Sequence, residues 1–282
     1  SIDLTNFNGS SINNTMEGMF SNCNILENLN LSNLDFSKTI NIDNIFKGCI
    51  SLISLDLSSF TTSYIKNFSY IFNDCTNLQV LDLSNFQGSL VENTMAHMFD
   101  NCLSLNSIEL PNLNLSLTTN VSNMFSDCKN LSHLILKNND ENIIMDYSFM
   151  FNGCESLETL DLSDFKSSNV FNNMDYMFNG CINLREIDLL NFETTFTTSM
   201  KSIFNGCFNL TSLNFPNLDF SSCMSEINEI FIDCNKLKNL NLSELKAYYT
   251  SNFSYMFSQL TNLTSIDLTN FNGSSINNTM EG

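Results

Sequence analysis

The chain has 282 residues, of which 43% are hydrophobic and only 15% charged. Acidic residues outnumber basic ones 30 to 11, giving a net charge of −19; nothing is available to neutralise phosphates, which argues against nucleic acid and against an anionic membrane surface. Two histidines (His97 and His133), no tryptophan and no apolar run near the ~18–20 residues of a membrane span argue, on composition alone, against most imidazole catalysis, most zinc chemistry and a spanning segment.

Residues 1–18 read SIDLTNFNGSSINNTMEG, and residues 265–282 read the same. An identity of 18 residues is not chance. After residue 282 the pattern would resume at Met19, so the sequence has a period of 264. The expectation is a segment cut from a longer array, or one designed to be periodic, with no leader or tail of its own.

A shorter period lies inside the long one. The phenylalanine of a Phe-x-x-Cys motif, or its equivalent, recurs at Phe20, Phe46, Phe72, Phe99, Phe125, Phe151, Phe178, Phe204, Phe231 and Phe257, in steps of 26 or 27. Ten such repeats fill the 264-residue unit, with no linker, proline-rich stretch or charge run between them. This predicts a single continuous solenoid over residues 1–282.

Each repeat opens on an apolar return segment. In repeat three Ile65, Phe68, Ile71, Phe72 and Cys75 share one face, and in repeat seven Val170, Met174, Met177, Phe178 and Cys181 do so. These spacings predict a short helical segment, partly of the tighter three-residue kind. The 27-residue repeats carry their extra residue here. The residue before the cysteine position is Gly, Asn, Asp or Gln throughout (Gly48, Asn101 and Asp127 among them), which predicts a left-handed residue closing the segment.

The cysteine column follows: Cys23, Cys49, Cys75, Cys102, Cys128, Cys154, Cys181, Cys207 and Cys234. Stacked repeats put its members about 4.8 Å apart. The favoured reading is a structural ladder of small buried hydrophobes, with bridged rungs as the alternative. Cys223 stands apart, at an apolar helix position.

A strand closes each repeat. Its first leucine is invariant from Leu26 to Leu263, and the LxxLxL pattern ends in strict alternation, so one parallel strand per repeat is predicted. Between the last two core positions lies an outward column rich in acids. Asp56, Asp82 and Glu109 are consecutive in it, as are Asp161 and Asp188. Carboxylates about 4.8 Å apart repel by roughly 1 kcal/mol in bulk water. Two readings stay open: a solvated face with alternating rotamers, or a weak site for a hard divalent cation. Asparagine makes up about one residue in six, some of it expected to form stacked ladders. It also creates 13 sequons, among them Asn8, Asn30, Asn67, Asn114 and Asn252, most expected by chance. The histidines are assigned no role.

The repeat MF-x-x-C-x-x-L-x-x-L-D-L-S-x-F resembles the 26-residue repeat of bacterial surface proteins, as in the BspA-like leucine-rich repeats and Listeria- and mycoplasma-type surface lipoproteins. The resemblance covers the whole chain; Leu260 in place of the cysteine and Asn139 in place of the phenylalanine are local departures. It implies an α/β solenoid of the leucine-rich-repeat kind, extracellular or cell-surface display, and structural or adhesive roles without catalytic residues or a cofactor. The expected function is a non-enzymatic segment of a surface filament or stalk. Its partners are then further copies of the unit, end to end. The alternative is an adhesin that meets a host or matrix protein on the acidic sheet face.

Overall fold

The computed structural model describes residues 14–271 apart from 32–35, 58–59, 61, 84–85, 87–91, 137–142, 163–169, 193, 216–217, 220–225, 244, 248–249, 251 and 270. Cys223, Asn139 and most of the two recurring ends lie outside the described residues.

Along the chain the strands are β1 (Asn14–Thr15), β2 (Thr39–Asn41), β3 (Ser54–Asp56), β4 (Val80–Asp82), β5 (Asn93–Thr94), β6 (Ser107–Leu110), β7 (Thr118–Asn120), β8 (His133–Leu136), β9 (Thr159–Leu160), β10 (Asn172–Asn173), β11 (Glu186–Asp188), β12 (Thr197–Ser199), β13 (Ser212–Asn214), β14 (Asn239–Asn241) and β15 (Ser265–Asp267). Every pairing among them is parallel. They form two ladders. The leucine strands pair as β3–β4, β6–β8, β9–β11–β13 and β14–β15. Equivalent residues of adjacent repeats face each other, as in Leu55↔Leu81, Ile187↔Leu213 and Leu240↔Ile266. Period-2 alternation places these side chains inward and their neighbours outward.

The second ladder lies on the return path. β1–β2, β5–β7 and β10–β12 are joined by single bridges through Asn67, Asp146, Glu226 and Asn252. The result runs unbroken from Thr15 to Asn252. Steps of 27 residues precede Phe99, Phe178 and Phe231, and in the first two of these repeats the register slips at a buried asparagine, Asn93 or Asn172. The Oδ1 of each accepts the hydroxyl of Thr118 or Thr197 at 3.0 Å. These two insertions therefore fall on the return side, as expected.

The helical return segment is not there: among the described residues no helix forms. In repeat seven the N–H groups of Met177, Asn179 and Cys181 each bond three residues back, to Met174, Tyr176 and Phe178, at 3.1–3.3 Å. The intervening N–H groups of Met174, Tyr176, Phe178 and Gly180 instead donate to Ser199, Lys201, Ile203 and Asn205 of the next repeat at 2.8–2.9 Å. Tyr176 and Gly180 have φ of 57° and 71°, which no α-helix tolerates. A run of turns four residues apart buries side chains at nearly the helical spacing, so the sequence pattern could not separate the two. The physics favours turns. A short helix is costly to nucleate and would stack on its neighbour by side chains alone. The turns send every second N–H across to the next repeat, so all are used.

The left-handed column before the cysteine position holds as expected, from Asn22 at 58° to Gln259 at 64°, in all ten repeats. A second one sits four residues earlier: Gly18, Asn44, Tyr70, His97, Asn123, Phe149, Tyr176, Ser202, Glu229 and Tyr255, with φ between 53° and 63°. Bulky residues accept this conformation at about 1–3 kcal/mol each, and only where the surroundings impose it. Here the ladder imposes it: Tyr70 N–H donates to Ala96, Phe149 N–H to Asp175 and Tyr176 N–H to Lys201.

Between the ladders the core is a set of columns. Phe20, Phe46, Phe72, Phe99, Phe125, Phe151, Phe178, Phe204, Phe231 and Phe257 stack ring on ring, with centroids 5.2–6.2 Å apart and planes within 13°. Leu26 to Leu237 are buried beside them. Each fully buried leucine or phenylalanine contributes about 1.5–3 kcal/mol.

Candidate functional site

The outward column of the leucine ladder is the surface singled out by the sequence. Asp56 and Asp82 stand opposite each other on β3 and β4. Asp161 and Asp188 continue the register of β9 and β11. Glu109 is on β6, which is not hydrogen-bonded to β4. The sheet opens there into a cleft of about 350 Å³, with Val80, Asp82 and Leu83 on one wall and Asn106, Ile108 and Glu109 on the other. His133 Nε2 lies 3.9 Å from Glu109 Oε1.

Part of this column caps turns. Asp188 Oδ1 accepts the N–H of Leu190 and the amide of Asn214, both at 2.9 Å. Asn241 caps Ser243 at 3.0 Å. Asp267 accepts both the backbone N–H and the hydroxyl of Thr269, which hold its carboxyl below the usual carboxylate range. A residue with a short acceptor side chain where the strand turns away is what an Asx-turn needs. Among the described residues, no group of three His, Cys, Asp or Glu side chains could hold a metal ion. Ca²⁺ takes six to eight oxygens, more than the two carboxylates of a facing pair such as Asp56 and Asp82 supply.

The cysteine column is free of disulfides, and its members from Cys49 to Cys234 are buried. Each of these eight thiols donates to the phenylalanine carbonyl of the preceding repeat at 3.1–3.2 Å, from Cys49 on Phe20 to Cys234 on Phe204. That carbonyl already accepts its own turn's N–H, so the thiol takes the second lone pair. Burial pushes Cys49 up to about 11 and Cys181 and Cys234 to about 12, and the thiolate is suppressed. Cys23, at the start of the column, is half-buried.

Sequence reasoning missed the polar logic of the return ladder. Oδ1 of Asn41, Asn67, Asn120, Asp146, Asn173 and Asn252 each caps the N–H two residues on, at 2.8–3.0 Å. Many asparagines are thus turn caps, which accounts for the sequons at Asn67, Asn120 and Asn252. Side-chain amide rungs do occur, from Asn179 to Asn152 at 2.7 Å and from Asn209 to Asn183 at 3.1 Å. Two of the carboxyls on this ladder are shifted upward. Burial, then nearby Glu17, raises the Asp43 carboxyl, and its Oδ1 is buried without a partner among the described residues. Burial also raises that of Asp175, although Ser199 and the Lys201 N–H bond to it. The signal was available: both stand two residues after a ladder asparagine. The two histidines do little, His97 stacking on Tyr70 at 4.5 Å and bonding Asp100 at 2.8 Å.

A leucine strand in each repeat from the second to the tenth, in parallel register over a leucine column, defines a leucine-rich-repeat solenoid. Residues 92–219 and 166–280 match the family described as "BspA type Leucine rich repeat region (6 copies)", and the chain belongs to it. Residues 14–139 also match the family described as "Mycoplasma protein of unknown function, DUF285". Among solved structures, a leucine-rich repeat protein from Bacteroides ovatus is 22% identical with a TM-score of 0.43, over 80% of this chain and 57% of that one. A leucine rich cell surface protein from Faecalibacterium prausnitzii is 16% identical with a TM-score of 0.45, over 89% of this chain and 68% of that one. No curated protein matches. Among the described residues no helix is long and apolar enough to cross a membrane.

Proposed function

We propose that the chain is a non-enzymatic segment of an extracellular surface solenoid, acting as a filament or stalk. The observation that carries this reading is the return of residues 1–18 as residues 265–282. A period of ten repeats lets one unit follow another without a change of register. The unbroken return ladder and phenylalanine stack supply axial continuity, and family resemblance supports surface display. At about 4.8 Å per rung, each 264-residue unit advances the axis by on the order of 48 Å. Small-angle scattering of a chain carrying two units in tandem tests this. The maximum dimension should grow by that amount over the single unit; growth much below it, as from two folded-back bodies, would refute the stalk.

A second reading is favoured by the cleft between β4 and β6. Asp82 and Glu109 flank it in a protein of net charge −19, so its partner would be a basic segment of a host or matrix protein. Affinity for such a segment should fall with salt and on Asp82→Asn with Glu109→Gln; binding that ignores both would exclude the reading.

A further inference from the structure

The break between β4 and β6 leaves a defined set of backbone groups unpaired. Where the leucine strands pair, the two N–H groups that open a strand share one carbonyl of the preceding repeat: Gln79 and Val80 on Ile53 O, Ser132 and His133 on Asn106 O, Thr211 and Ser212 on Arg185 O, at 2.8–3.3 Å. Past the strand, Leu57 N–H reaches Asp82 O at 3.3 Å and Leu189 N–H reaches Asn214 O at 2.8 Å. Across the break the equivalent donors, on Asn106, Ser107 and Leu83, find no acceptor among the described residues, and neither Gln79 O nor Glu109 O receives one of them. These five residues all line the cleft of about 350 Å³. Behind it the two repeats stay together: Phe72 and Phe99 stack at 5.4 Å, and Ser104 N–H still donates to Thr76 O at 3.1 Å.

Two side-chain features set this break apart. The ladder is also interrupted after β8 and β13, where the outward column carries Ile135 and Asp161, and Asn214 and Asn241. Of the three breaks, only that between β4 and β6 has a carboxylate of this column on both rims. Val80, 64% exposed, is apolar where every counterpart from Ser54 to Ser265 is polar.

We propose that this break binds the main chain of an extended basic segment of a partner protein. This rests on the cleft reading above and names the groups that recognise the segment. A ligand filling the break must accept from Ser107 and Leu83 and donate to Gln79 O and Glu109 O. A peptide group does both at once, whereas an ammonium or guanidinium only donates. A backbone group left without a partner is costly, so each bond made to the segment restores what the paired junctions already have. Main-chain bonding at an open position of a sheet supplies affinity, and the side chains beside it supply selection. Here Val80 takes the aliphatic stem of a lysine or arginine, and Asp82 and Glu109 take its charge. The Phe72–Phe99 stack closes the cleft from behind, so the segment lies on the face without wedging the repeats apart.

Amide NMR signals of the full, isotope-labelled chain, titrated with short probes, test this. The main probe is a blocked pentapeptide, an arginine flanked by two alanines on each side. It should move the signals of Leu83, Asn106 and Ser107, and its affinity should fall about tenfold when its main-chain nitrogens are methylated. Propylguanidine, which carries the charge without the main chain, should also bind about tenfold more weakly. Asp82→Asn with Glu109→Gln should weaken every probe. A methylated peptide that binds as tightly as the parent, and is still weakened by those two substitutions, would overturn main-chain recognition and leave the charge reading intact. Signals of Leu83, Asn106 and Ser107 that stay unmoved at millimolar pentapeptide would overturn the site itself, while the salt dependence of a longer basic segment judges the charge reading separately.

Discussion

The two ladders of this solenoid are built from the same repeats and differ in continuity. The leucine ladder, conspicuous in the sequence, is interrupted after β4, β8 and β13. The return ladder, whose strands are two or three residues long, runs through ten repeats without interruption. The difference lies in what holds each rung. A leucine strand offers a few backbone bonds over an apolar face. A return rung offers one bond from every second residue of a turn run, a capping side chain and, in eight repeats, a thiol on the adjacent carbonyl. The return path is therefore the stiff side and the leucine face the side that can open, and the cleft at Asp82 and Glu109 is where it does.

The largest expected effect comes from the thiols. Buried cysteines keep their protons well past the point where those of the unfolded chain ionise, so the native state binds more protons in that window. The sign follows: the stability is whole below about pH 9, the ordinary thiol value, and is lost as pH rises toward the folded values near 11–12. The shift has the same upward sign at all eight buried thiols, so their effects on stability add in one direction. Unfolding followed by circular dichroism should show a steep alkaline transition above pH 9, and replacing column cysteines by alanine should flatten it. A profile unchanged by those replacements would mean that the column does not hold the return side.

The second test sets the ladders against each other. Phe125→Ala removes a fully buried ring from the stack and should cost about 3–5 kcal/mol in chemical denaturation. Leu134→Ala, at a half-buried position of the leucine strand, should cost about half as much. Equal losses would erase the asymmetry.

The legible part of this fold was the part with side-chain periodicity: parallel leucine strands, which form in repeats two to ten, a buried cysteine column and the left-handed residue before it; the second ladder of strands on the return path was not foreseen. The helix was misread because Val170, Met174, Met177, Phe178 and Cys181 mark buried positions only, and turn runs and helices bury alike. Tyr70, Phe149 and Tyr176 at positive φ were illegible in principle, since no local preference puts them there and only the neighbouring repeat's carbonyls do. Of the candidate site, the acidic column was found and its capping role was not. Capping is a relation between a side chain and a backbone N–H two residues on, and spacing alone does not show it.

A third comparison uses the same cap in both ladders. Asn120→Ala frees the half-buried N–H of Ser122 and should cost about 1 kcal/mol. Asp188→Ala frees that of Leu190, which water can reach, and should cost a few tenths. A loss at Asp188 as large as that at Asn120 would make the leucine face as tightly built as the return side.

The smallest effect has the most specific sign. Asp43 belongs to the return ladder, and its carboxyl is raised by burial and then by Glu17, with one oxygen lacking a partner among the described residues. A raised carboxyl favours the folded state when protonated, so the contribution is present below the ordinary Asp range and is lost as pH rises through the folded value. At neutral pH the ionised Asp43 is therefore a burden. Asp43→Asn removes the charge and retains an acceptor, so it should raise Tm slightly at pH 7, and the gain should vanish as pH falls below about 4. A variant that melts lower than the parent at pH 7 would show that the carboxylate is paired in solution, and that this rung is held by an ion rather than by the turn ladder.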